Sequence, residues 1–147
     1  MRVILDPAPA QQLADADWQG IDIVTPNESE ASAITGIAVQ GVESAAEAGK
    51  WFISRGVGAA IVTLGAKGVA LVTTEGSQHF PAPSVLAVDT TAAGDAFAGY
   101  LGAGLSEGKS LENAIDLAVR AASISVTKVG ASSSLPSRGD VETFSAN

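Results

Sequence analysis

Short apolar runs closed by proline or glycine alternate along this chain with longer stretches patterned at helical spacing. That alternation narrows the fold more than any other property of the sequence. Arg2-Val3-Ile4-Leu5 is stopped by Asp6-Pro7-Ala8-Pro9, and Ile21-Asp22-Ile23-Val24 by Thr25-Pro26; both read as buried parallel strands. Helical patterns follow over Glu28 to Thr35, ending at Gly36, and over Ser44 to Arg55, ending at Gly56, with Ser44 and Glu47 spaced as a capping box. Ala59 to Thr63 predicts a third strand, and Gly68 to Thr73 with Gln78-His79-Phe80 predicts a hairpin across Glu75-Gly76. Val85-Leu86-Ala87-Val88 predicts one more short buried strand, and Phe97, Tyr100, Leu101 and Leu105 recur at helical spacing after it. A long helix is expected from Ser110 to about Thr127, with Leu111, Ala114, Ile115, Ala118, Ala121 and Ala122 on one face, then a short one around Asp140 to Ser145. Together these predict an α/β layered sheet with an antiparallel edge. Ligands of such sheets lie beyond the carboxyl ends of the strands, where the turns after Val24, Thr63 and Val88 would open. Because the chain begins directly on a strand, it is expected to be the second half of something larger.

Composition removes several classes of function. At 147 residues the chain suits one domain with a real core, and 46% hydrophobic residues argue against global disorder. No apolar run reaches the roughly 18 residues of a membrane span, and no signal-peptide pattern follows Met1, so a soluble, cytoplasmic protein is expected. Without cysteine there are no disulfides, thiolate metal sites or thiol nucleophiles. A formal charge of −8 offers no basic stripe for nucleic acid. An acidic chain that binds a nucleotide must use backbone amides, helix ends and bound cations rather than a basic cluster.

Asp89-Thr90-Thr91-Ala92-Ala93-Gly94-Asp95-Ala96-Phe97 is where that requirement would be met. Ala92, Ala93 and Gly94 allow a phosphate to approach unpaired amides at a helix start, and Asp95 stands where it could accept the proton of an attacking hydroxyl. The plainer reading is that Thr91 or Asp95 merely caps the helix. Asn27 and Glu30, three residues apart at another helix start, are likewise either a capping box or a pair aimed at phosphates and hydrated Mg²⁺. Thr63-Leu64-Gly65-Ala66-Lys67-Gly68 is a glycine-flanked turn leaving a buried strand, a geometry that brings backbone close to a ligand but is also common turn chemistry. There is no Walker A run, no complete G-x-G-x-x-G and no G-x-S-x-G elbow. His79, the one histidine, reads as a half-exposed structural residue, and Trp18 and Trp51 read as packing residues.

Taken in order, these segments resemble the C-terminal half of the PfkB-type carbohydrate kinases, most closely their ribokinase branch. Asp-Thr-Thr-Ala-Ala-Gly-Asp at 89–95 is similar to the family signature, and Thr-Pro-Asn-Glu-Ser-Glu at 25–30 to its Asn-x-x-Glu motif. The segments at 6–10, 63–68 and 129–136 also look like family segments. The resemblance implies a three-layer αβα ribokinase-like sheet, mostly parallel with an antiparallel hairpin at one edge, in which residues 1–147 form the ATP-binding and catalytic part of a single domain. It implies ATP-dependent phosphorylation of a pentose, D-ribose to D-ribose 5-phosphate, with Asp95 as base and substrate contact and an anion hole at Ala92, Ala93 and Gly94. Asn27, Thr63, Leu64, Gly65, Ala66, Lys67, Gly68, Gly94, Asp95 and Val119 would line the ATP site, and Glu30 would hold Mg²⁺ through water. Asp89, Thr91, Ser125, Lys128, Gly130 and Ser134 match positions around an activating K⁺, Lys128 offering only its carbonyl. Val119 stands where relatives often carry Asn or His near the adenine, and Tyr100 where they usually have a small residue. The family's N-terminal half, with its Gly-Gly sugar-binding segments and lid, has no counterpart here. The alternatives are therefore a catalytically incompetent nucleotide-binding fragment, or a relative acting on fructose or a nucleoside. The expected partners are ATP and a small sugar, with a homodimer or a separate N-terminal half as protein partner, and neither nucleic acid nor membrane.

Overall fold

A computed structural model describes residues 1–144, which fall into two compact units, Met1–Pro81 and from Ala82 onward. The first unit carries a mixed sheet of β1 (Ile4–Leu5), β2 (Ile23–Val24), β3 (Ala59–Thr63), β4 (Val69–Thr73) and β5 (Gly76–Phe80), adjacent in that order. β1, β2 and β3 run parallel; β4 and β5 form the antiparallel hairpin at the edge, with Thr63 opposite Val69 and Ala70 opposite His79. The Val-, Ile- and Ala-rich strands β3 and β4 are buried at successive positions, hence on both faces, as a layered α/β sheet requires.

Two helices cross over between the parallel strands. α1 (Glu28–Thr35) starts at the Asn27 cap and ends at Gly36, whose φ of 75° supplies the left-handed turn that other residues adopt at a cost. α2 (Val42–Ser54) lies against β3 and β4 because Gly49 removes the side chain at the point of closest approach: a Cβ there would stand 2.3 Å from Val72 Cγ2. One core cluster joins Trp18, Val24, Ile34, Phe52, Ala60 and Val72, and a second joins Ala31, Ala45, Ala48, Val62 and Ala70. A 3-10 helix at Asp15–Gly20 carries Trp18 into the first, where its ring meets Trp51 and Phe52 edge-on. Both tryptophans are packing residues, as expected.

The second unit is helical: α3 (Ala93–Ser106), α4 (Leu111–Ser125) and α5 (Arg138–Thr143). The Ser110 side chain caps α4 by accepting from the Asn113 amide at 3.2 Å. Gly104 lets α3 approach α4, since a Cβ there would lie 3.1 Å from that of Ala114. Arg138 grips Glu107 through two hydrogen bonds, at 2.6 and 2.7 Å, and Tyr100 donates to the Pro136 carbonyl at 2.6 Å.

Several expected boundaries shift. β1 and β2 each begin two residues later than the apolar runs suggest, because a strand is set by its ladder and not by hydrophobicity. α2 begins at Val42, so Ser44 is its third residue and not its cap; its hydroxyl accepts from the Gln40 and Gly41 amides at 2.8 and 3.2 Å, and the expected pairing with Glu47 is not made. The hairpin turns at Thr74-Glu75. Val85 to Val88 is not a strand: Leu86 is 84% and Val88 58% exposed, and the segment's end is tied down by Val88 and Asp89 amides sharing the Val126 carbonyl. α5 is centred two residues early, and Ser145 lies outside the described residues. Among the described residues no helix is long and apolar enough to cross a membrane.

Candidate active site

In the first unit the candidate residues gather at the carboxyl ends of β2 and β3. Beyond Val24 the chain continues as Thr25-Pro26-Asn27, and Asn27 makes a parallel bridge to Thr63 while the Thr63 amide donates to Pro26 at 2.9 Å. The two motifs, 36 positions apart in sequence, are thus neighbours through backbone alone. Asn27 and Glu30 form the capping box in full: Asn27 Oδ1 accepts from the Glu30 amide at 2.8 Å, and Glu30 Oε2 accepts from the Asn27 amide at 2.8 Å. Ser29 Oγ also donates to Asn27 Oδ1. This leaves Asn27 Nδ2 and Glu30 Oε1 without a hydrogen bond among the described residues. Capping therefore occupies one oxygen of each side chain and leaves the other polar atom available.

Leu64 is buried, and Gly65-Ala66-Lys67 forms one 3-10 turn after it, closed by Leu64 donating to the Gly68 carbonyl at 2.8 Å. Gly65 at φ 57° and Gly68 at φ 92° are conformations that side chains disfavour, so the turn depends on both glycines. Two side chains hold it: Lys67 Nζ donates to the Gln40 carbonyl at 3.2 Å, and His79 Nε2 bonds the Lys67 carbonyl at 2.6 Å. His79 is more exposed than expected, and no spacing rule points to its contact twelve residues back.

In the second unit α3 begins at Ala93, with Ala92 at the cap position and making no side-chain cap. The Ala93 amide donates to the Thr90 carbonyl at 3.2 Å, whereas the Gly94 and Asp95 amides donate to nothing among the described residues. Asp95 is exposed on the first helical turn, and its carboxylate accepts no hydrogen bond among the described residues. Neither Thr91 nor Asp95 caps α3, which removes the plainer reading of the motif. A Cβ on Gly94 would meet nothing within 4 Å, so the helix start has open space in front of it.

Asp89 is drawn back from this helix start. Its Oδ1 accepts from the Thr91 amide at 2.9 Å and from the Thr91 hydroxyl, and its Oδ2 accepts from the Gly130 amide at 3.1 Å. The Thr91 hydroxyl, then the Gly130 and Thr91 amides, hold the Asp89 carboxyl below its ordinary range against a smaller opposing effect of burial. Asp89, Thr91 and Gly130 thus meet, 41 residues apart in sequence. Ser125 and Ser134 are buried with their hydroxyls donating to Ala122 at 2.9 Å and Ala131 at 2.7 Å, which leaves their oxygens able to accept. Lys128 is exposed, and its amide reaches the Ser125 carbonyl at 3.3 Å. Val119 is buried on α4, and its carbonyl accepts from Ser123 Oγ at 2.9 Å. Among the described residues no three acidic or histidine side chains cluster as a metal site. The groups that meet at the Asp89 carboxylate are the Thr91 hydroxyl and the Thr91 and Gly130 amides, whereas the Ser125 and Ser134 hydroxyls bond their own local carbonyls.

A family model described as pfkB family carbohydrate kinase matches residues 1–138. The ribokinase of Haemophilus influenzae is 45% identical over 144 residues, covering 98% of this chain and 47% of that protein. The crystal structure of ribokinase from Thermotoga maritima superposes with a TM-score of 0.87 at 45% identity, covering 96% of this chain and 48% of that one. The structure of Arabidopsis thaliana ribokinase complexed with ribose and ATP superposes with a TM-score of 0.90 at 34% identity, covering 99% and 48%. This chain therefore spans about half the length of the relatives it matches. The family match, the sequence identities and the superpositions agree on a ribokinase-like α/β fold, and the chain belongs to the PfkB family of carbohydrate kinases, which are phosphotransferases.

Proposed function

We propose that the chain is the ATP-binding and base-bearing part of a ribokinase-type kinase that transfers the γ-phosphoryl of MgATP to a primary hydroxyl of a pentose, D-ribose giving D-ribose 5-phosphate. The observation that carries this reading is the start of α3, where an exposed carboxylate sits one residue past an amide with no acceptor among the described residues. Asp95 takes the hydroxyl proton as the sugar oxygen bonds to phosphorus; the bridging P–O bond breaks and ADP leaves with its electron pair. In the anion hole at Ala92, Ala93 and Gly94, the Gly94 amide is ready to donate to the γ-phosphate, and the Ala93 amide joins it by releasing Thr90. Kinship to a relative solved with ribose and ATP supports the choice of substrates.

Asn27 Nδ2 and the 63–68 turn would contact the nucleotide, and Glu30 Oε1 would help hold hydrated Mg²⁺, which would offset the charge of the phosphates. The oxygens of Asp89, Thr91, Ser125 and Ser134, with the carbonyls of Lys128 and Gly130, suit K⁺. Asp89 would stay anionic for that role throughout the physiological range, because its hydrogen bonds favour the carboxylate.

Substituting Asp95→Asn should lower ribose-dependent ADP formation by about 10²- to 10⁴-fold while calorimetric MgATP affinity stays within about 2-fold. Near-normal turnover in the variant would sink the assignment of the base. The other reading is nucleotide binding without transfer. MgATP binding with no ribose-dependent turnover in the wild type would select it.

A further inference from the structure

We propose that His79 is a positioning residue for the nucleotide-binding turn, acting through the Lys67 carbonyl; the inference rests on the nucleotide reading given above. The turn at 64–68 contains two glycines at positive φ, the residue type with the widest backbone freedom. Its internal hydrogen bonds close the ring but do not fix how the ring is presented. Two side-chain bonds tie it to the rest of the first unit, Lys67 Nζ on the Gln40 carbonyl and His79 Nε2 on the Lys67 carbonyl.

The geometry makes His79 the firmer of the two. Its bond is 2.6 Å against 3.2 Å, and its ring is carried by β5 in register with Ala70, so its base is anchored by the hairpin ladder. An imidazole has two side-chain torsions where a lysine has four, so less freedom is lost in making the contact. Nε2–H donates to a carbonyl in the Nε2 tautomer and in the imidazolium alike, so the anchor does not need the ring's charge. His79 is exposed and belongs to neither core cluster of the first unit, so its replacement changes little else.

The test compares His79→Phe, which keeps a flat ring suited to a strand but cannot donate, with His79→Gln, which can. MgATP affinity is measured by calorimetry and the exchange of the Leu64 and Gly68 amides by NMR. The expected result is about 3- to 10-fold weaker MgATP binding and faster amide exchange in His79→Phe, with an unchanged thermal midpoint and both values restored toward wild type in His79→Gln. MgATP affinity in His79→Phe equal to wild type overturns the inference. A wild type that binds no MgATP overturns the underlying nucleotide reading instead, and unchanged exchange at Leu64 and Gly68 shows separately that His79 does not hold the turn.

Discussion

Asp89 concentrates three hydrogen bonds on one carboxylate, two from Thr91 and one from Gly130, and so ties the start of the signature segment to the loop after α4. Those bonds favour the charged form and lower its pKa in the folded protein. A carboxyl depressed in this way contributes stability above its unfolded value near 4, and that contribution is lost as pH falls through the lower folded value. Replacing Asp89 by Asn removes the charge and keeps the shape. The thermal midpoint of the variant should lie below that of wild type at pH 7, and the gap should narrow progressively below about pH 4. A gap that stays constant from neutral to acid pH would show that the carboxylate's charge is not what holds the loop. The spacing of residues 89 to 95 makes the Asp95 helix start readable directly, because everything it needs is local. The Asp89–Gly130 bond joins positions 41 apart and could be placed from sequence only through resemblance. His79 shows the same limit more sharply, since neither pattern nor resemblance announced its hold on Lys67.

Elements were legible wherever their ends are written in local chemistry. α1 is bracketed by a capping box and a left-handed glycine, and its bounds follow directly; α4 begins at the serine that caps it. α2 begins at Val42 behind Gly41, a cap residue with no side chain, so the serine three places after Gly41 reads from sequence as the cap. Val85 to Val88 has the composition of a strand without a ladder, and composition cannot supply hydrogen-bond partners. Close packing between elements is equally silent in the sequence. Gly49 interrupts a good helical pattern for a reason visible only in three dimensions, the approach of α2 to β4. Gly49→Ala would gain helix propensity of about 0.8 to 1 kcal/mol in an open setting. Here the new methyl would overlap Val72 at 2.3 and 2.7 Å, and overpacking of a filled core costs about 1 to 3 kcal/mol. The second term wins because the nearest atoms include the Cβ of Val72, which cannot swing aside. Chemical denaturation should therefore show Gly49→Ala less stable than wild type; a more stable variant would mean that helix and sheet separate easily.

Across the whole molecule, the two units differ in what holds them. The first is built on a sheet whose central strands are apolar and buried at successive positions. The second is a helical unit whose connections are fastened by carboxylates: Asp89 to Thr91 and Gly130, Glu107 to Arg138, and Asp140 to the cap of α5. All three are held below the ordinary carboxylate range, Asp89 chiefly by the Thr91 hydroxyl, Glu107 by the Arg138 guanidinium and Asp140 by the Ser137 hydroxyl. Each is exposed enough that its own share is modest, yet all act in the same direction and in the same unit. Their contributions are present above about pH 4.5 and fade together as pH falls through the depressed values, while the Arg138 charge persists throughout. Acid should consequently loosen the second unit ahead of the first. Lowering pH from about 6 to 3 and following native NMR amide signals would check this, with Ile61 and Val62 reporting on β3 and Leu101 and Ala118 on α3 and α4. Loss of the α3 and α4 signals at the higher pH is the expected order. Simultaneous loss, or earlier loss in β3, would mean that the apolar sheet and the carboxylate fastenings do not respond to acid separately.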